Sequence, residues 1–131
     1  MKTKKPRKIG LIVKECRKIA SDLAKGRDKY ACLRCCRSDK QGWKIDASHI
    51  KPKGTHNAMS ADVDNIKALC ANCHRWWHSN PTESGLWFEN TYPEWHQRLK
   101  TRSQRTIKMG RYEWTTKLAE LKKLREINET N

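Results

Sequence analysis

The sequence predicts a small α+β domain held together by a tetrahedral metal site, and three observations carry that prediction. Cys32-x2-Cys35 and Cys70-x2-Cys73 form two pairs separated by residues 36–69, the spacing at which thiolates from two turns close around zinc. Apolar residues recur at three- and four-residue intervals over 9–25 and again over 112–128, the period of amphipathic helices. Between them, residues 43–50 alternate as a strand does. With 36% hydrophobic residues in 131 and a mean hydropathy of −1.00, the core must be small. A structural ion would help offset the entropy of ordering such a chain.

Lys plus Arg number 29 against 14 Asp plus Glu, a formal net charge of +15. That surplus repels itself unless a polyanion neutralises it, so nucleic acid is the expected partner. A membrane is not expected, because no apolar run approaches the roughly 20 residues of a spanning helix. No signal-peptide core follows the basic N-terminus, which points to a cytoplasmic protein whose thiols bind metal rather than form disulfides.

Residues 1–8 carry Lys2, Lys4, Lys5, Arg7 and Lys8 around Pro6 and read as a flexible basic arm. A helical segment follows over 9–29: Ile12, Cys16, Ile19 and Leu23 mark its apolar stripe and Gly26 its stop. Cys16 on that stripe reads as a small buried thiol rather than a ligand. The central unit spans 30–80. Its first cysteine pair sits on a tight turn, where Cys36 competes with Cys35 because Cys32-x3-Cys36 is also an allowed spacing. In the strand, Trp43, Ile45, Ala47 and His49 share one face and Lys44, Asp46, Ser48 and Ile50 the other. Residues 53–64 read as a loop, and a short helix over about 72–79 ends at Asn80-Pro81. On it, His74 and His78 present two imidazoles on one face. A C-terminal helical extension, 81–131, begins with an apolar patch at Leu86, Trp87 and Phe88. Pro93 then opens a helix carrying Trp95 and Leu99. The last helix, with Trp114, Leu118, Leu121, Leu124 and Ile127 in a stripe, packs on the domain or on a second copy as a homodimer. The aromatic residues read as core, since so few aliphatic side chains are present.

His49 on a strand, Asn65, and His74 and His78 on a helix, framed by four cysteines over about 30–79, resemble the HNH or His-Me finger endonucleases. Together with Thr55-His56, Asp64-Asn65 and Trp87-Phe88, the pattern looks like the phage NinG-type recombination proteins. The resemblance implies a ββα-metal core and a metal-dependent DNA endonuclease or nickase, in phage or prophage recombination, acting on DNA that extends to branched forms. It would work in the bacterial host cytoplasm if phage-encoded. By that resemblance His49 is the general base, Asn65 orients the loop and the base, and His74 and His78 hold a catalytic divalent ion, Mg2+ or Mn2+. Family members commonly place Asp or His just before the base, where this chain has Ser48. Asp46, two residues earlier on the same strand face, is assigned to the ion as the better anionic ligand for a hard cation, with Ser48 the competing choice and His56 a looser candidate. Lys51, Lys53 and Arg75 are assigned to the nucleic-acid backbone. Cys32, Cys35, Cys70 and Cys73 hold structural Zn2+. The alternative from another class is a catalytically inactive, zinc-stabilised DNA-binding module, and the same chemistry would serve RNA.

Overall fold

The computed structural model describes residues 4–105 and 107–130. Within them, five α-helices surround one two-stranded antiparallel sheet, an α+β architecture. Residues 1–3 of the basic arm lie outside the described residues, and 4–8 carry no regular structure. The end of the arm is tied down: Arg7 pairs with Glu15, and its carbonyl accepts a hydrogen bond from Arg111.

Helix α1 (Ile9–Arg27) buries Ile12, Cys16, Ile19, Ala20 and Ala24, the stripe that the sequence periodicity predicts. It runs through Gly26 rather than stopping there. Its last turn is held by Arg27, whose guanidinium donates to the carbonyls of Val63 and Ile66 and pairs with Asp28. The reversal comes afterwards, where Lys29 and Tyr30 both take left-handed φ, 58° and 51°.

Strand β1 (Ile45–His49) pairs with β2 (Ile66–Cys70), Ile45 opposite Cys70 and His49 opposite Ile66. All five residues of β2 are buried. It therefore shows no alternation, as a strand covered on both faces does not. Residues 53–64, read from sequence as a loop, fold into two 3₁₀ turns, Asn57–Met59 and Val63–Asn65.

Helix α2 (Ala71–Ser79) leaves β2 without a linker: Cys70 closes the strand and caps the helix, its sulfur accepting from the Cys73 N–H. Asn80-Pro81 does end α2, and Pro81 immediately opens α3 (Pro81–Thr91), as Pro93 opens α4 (Pro93–Ser103). The fixed φ of proline suits a first helical turn. Leu86, Trp87 and Phe88 thus belong to a helix rather than to a loose apolar patch. Trp77, Trp87, Phe88, Tyr92 and Trp95 pack largely edge to face over Met59 and Leu99, the core role expected of them.

Helix α5 (Arg111–Thr130) lays Trp114, Leu118 and Leu121 on the α1 stripe. The first half of its apolar face is therefore used within the chain, while Leu124 and Ile127 stay about half exposed. Among the described residues, no helix is long and apolar enough to cross a membrane.

Candidate functional site

The thiols of Cys32, Cys35, Cys70 and Cys73 all lie within 4.8 Å of one another. Four sulfurs each about 2.3 Å from a tetrahedral ion stand roughly 3.8 Å apart, so the cluster fits a structural metal such as zinc. Of the two candidates on the first turn, Cys35 joins and Cys36 does not. The backbone turns left-handed at Cys36, φ 68°, and leaves that residue exposed. Cys16 is far off in the α1–α5 core, donating to the Trp114 carbonyl. Burial opposes ionisation of Cys32, yet the backbone N–H groups of Cys70, Cys35 and Arg34 outweigh it and bring this thiol down to about 7. Burial and the neighbouring sulfurs push Cys73 up to about 12, against the nearby Arg34 guanidinium.

One residue beyond Cys73, α2 turns His74 and His78 toward each other, with 3.1 Å between their Nε2 atoms. Two nitrogens each about 2.1 Å from a common ion at right angles stand roughly 3.0 Å apart, so the pair fits two adjacent positions of one coordination shell. Burial, then His74 and Lys67, lowers the His78 pKa and favours the neutral, ligating form. Asp46 stands elsewhere than the sequence reading put it. Its Oδ2 is 3.1 Å from His74 Nδ1, on the side of the ring away from His78. Among the described residues, the four cysteines are the one set of three or more such ligand atoms that closes. Asp46 thus holds the His74 tautomer, accepting from Nδ1–H and leaving the Nε2 lone pair directed at His78.

Ser48, the competing choice for a third ligand, is fully buried and accepts a hydrogen bond from Lys67 Nζ at 3.1 Å, across the strand pair. Lys67 itself is fully buried, its ammonium 3.2 Å from the centre of the Trp77 ring. Burial draws its pKa well below the usual lysine range, with Asp28 and Cys32 pulling the other way. Nothing in the sequence marks Lys67 as a buried lysine spanning Ser48 and the tryptophan between the two histidines.

His49 closes β1 with Nε2 at 2.7 Å from the Ser60 carbonyl oxygen. A carbonyl only accepts, so the proton sits on Nε2 and Nδ1 carries the lone pair. Burial lowers the His49 pKa, Lys53, Arg17 and Lys67 adding to it and the Ser60 carbonyl opposing. Asn65, fully buried, fixes both sides of this arrangement. Its Oδ1 accepts from Lys51 N–H at 2.8 Å, and its Nδ2 donates to the carbonyls of Lys51 and Met59 at 3.0 and 3.1 Å. The amide therefore ties the segment after His49 to the residue beside Ser60.

His49, His74 and His78 line one cleft of about 560 Å³, together with Lys51, Lys53 and, from α3, Pro81 and Gly85. Asp46 is not on its wall. Arg75 points from the exposed side of α2, and His56, beside Thr55 Oγ1 at 2.9 Å, stays in its loop; neither reaches the cleft lining. His96 of α4 does. No spacing in the sequence ties His96 to His49, and only the return of α4 against α3 brings them to one cavity. Compared with known proteins, the chain matches no family model, no curated sequence and no solved structure.

Proposed function

We propose that the chain is a metal-dependent endonuclease or nickase of DNA, built on a ββα-metal core. The observation that carries the reading is the facing Nε2 pair of His74 and His78 in the same cleft as His49, whose free nitrogen is a lone pair rather than a proton. His74 and His78 would hold a divalent ion such as Mg2+ or Mn2+, which would supply positive charge for the scissile phosphate and the departing oxygen. His49 Nδ1 takes a proton from water as the water oxygen bonds to phosphorus, and the P–O bond to the departing oxygen breaks, that oxygen keeping the electron pair and taking a proton from solvent. Ser60, through its carbonyl, holds the imidazole in the tautomer this needs. Asn65 is a positioning residue that keeps β1 and the Ser60 turn in register, and Asp46 orients His74. Lys51 and Lys53, at the rim of the cleft, are suited to backbone phosphates.

A second reading, a catalytically silent DNA-binding module, is favoured by one specific feature: Lys67 engages the Ser48 hydroxyl, so the position before His49 offers no ligand. Plasmid nicking with Mg2+, Mn2+ or EDTA separates the two. Metal-dependent nicking is expected, and His49→Ala should lower its rate by about 10²–10⁴-fold while DNA binding survives. Undiminished nicking by this variant would remove His49 from its role. The absence of nicking in the wild-type protein with either ion would leave the binding module.

A further inference from the structure

The cleft is larger and more apolar than a phosphate site requires. Its β1 side, with Lys51 and Lys53, suits a phosphodiester, but its far wall is Pro81, Gly85, Trp77 and the almost completely buried Phe88. Such a wall offers a phosphate nothing. On it, the Ser84 hydroxyl is spent on the Trp77 carbonyl, which leaves His96, its Nε2 3.8 Å from a Glu89 carboxylate oxygen, as the polar side chain on the lining at that end. At about 560 Å³ the cleft lies inside the roughly 300–1,000 Å³ range of small-molecule sites.

A second observation concerns Gly85. It sits in the interior of α3, where glycine is the least favourable residue after proline. A Cβ built there meets nothing within 4 Å. Neither a close helix contact nor a left-handed φ requires glycine at this position, which lies on the cleft lining.

We infer that the α3 wall of this cleft receives one unpaired nucleobase of the substrate, next to the linkage presented to His49, His74 and His78. The inference rests on the nuclease reading for its position but not for its test. A base already out of the stack spares the unstacking that a paired one would cost. On this wall the half-buried Trp77 is the aromatic ring with surface to spare; an apolar wall accepts any base by its face, and with His96 the one polar side chain left on that side the pocket selects an unpaired nucleotide rather than a sequence. The preferred substrate class is nucleic acid with an extrahelical or single-stranded nucleotide at the cut.

The test uses the full chain with Mn2+ and three short labelled substrates: a paired duplex, the same duplex with one bulged nucleotide, and one with the bulged base removed. The bulge should be cut about tenfold faster than the paired duplex, the scale of one stacked base, and the abasic bulge should lose that preference. Gly85→Leu, which fills the space and favours the helix, should bring the ratio of bulged to paired cutting close to one, with its melting temperature unchanged or raised. In parallel, 2-aminopurine at the bulge should be quenched on binding to the wild-type protein and not to Gly85→Leu. Equal cutting of the three substrates, or quenching that survives Gly85→Leu, would overturn the pocket. Quenching without any cutting would keep the pocket and overturn the nuclease, and cutting without quenching would do the reverse.

Discussion

The two clusters of side chains with donor atoms for a metal meet at one helix, α2, and are built on opposite plans. The cysteine cluster is closed: four soft donors from two chain segments converge within 4.8 Å, three of them buried, a full set for a tetrahedral ion. The histidine cluster is open: two imidazoles face each other at 3.1 Å, one is oriented from behind by Asp46, and the remaining approach is the cleft. A full donor set suits a scaffold ion, and a partial one beside a cavity suits an ion that must meet substrate. The difference lies in the donors supplied, since α2 contributes to both.

The contrast breaks most easily at Cys70. Removing a thiolate from a closed set forfeits metal binding worth on the order of 10 kcal/mol, so Cys70→Ala should unfold the central unit, read by circular dichroism and zinc content. Because the Cys70 sulfur also caps α2, Cys70→Ser sharpens the point. A hydroxyl can cap a helix but does not replace a thiolate on zinc, and the serine variant should lose the metal as the alanine one does. A folded, zinc-replete Cys70→Ser protein would make the residue a cap only.

A smaller effect is expected at the open site. Asp46→Asn keeps the shape of the side chain but weakens its hold on the His74 N–H. It should cost about 10–100-fold in divalent-ion affinity or cutting rate with the thermal midpoint little changed, as read from metal titrations of nicking. A fall to the level of a full ligand deletion would return Asp46 to the ion itself.

The smallest expected change is in pH dependence. With its folded pKa lowered by burial, His49 keeps its lone pair to pH values below the ordinary imidazole value of about 6.5. The acid limb of nicking that it sets should lie below 6.5. For stability, the unfolded chain binds the extra proton first. This histidine's contribution is therefore full above pH 6.5 and is lost as pH falls through its lower folded value. An acid limb above 6.5 would argue that another group limits the reaction.

What the sequence made legible follows the same division. The cysteine pairs declare themselves by local spacing, as do the i, i+4 histidines and the α1 stripe, because each is written within a single turn or helix. The sequence favours Cys35 over Cys36, and the backbone supplies the reason, since the left-handed φ of Cys36 has no sequence mark in a cysteine. Strand β2 hid because it is covered on both faces and carries a lysine as its second residue, and α3 hid because Leu86, Trp87 and Phe88 are consecutive rather than spaced. Asp46 behind His74, Lys67 beneath Trp77 and His96 across the cleft are all products of tertiary packing. The HNH-like expectation thus names candidate side chains, while their packing partners are visible only once the helices are stacked.

Cys73 and His74 are adjacent residues on the first turns of α2. A reagent that strips the thiolate-bound ion therefore loosens the platform on which the imidazole pair is mounted. Treatment with a strong zinc chelator should abolish turnover that added magnesium alone cannot restore, and in this protein sensitivity to chelation would report the scaffold as readily as the chemistry.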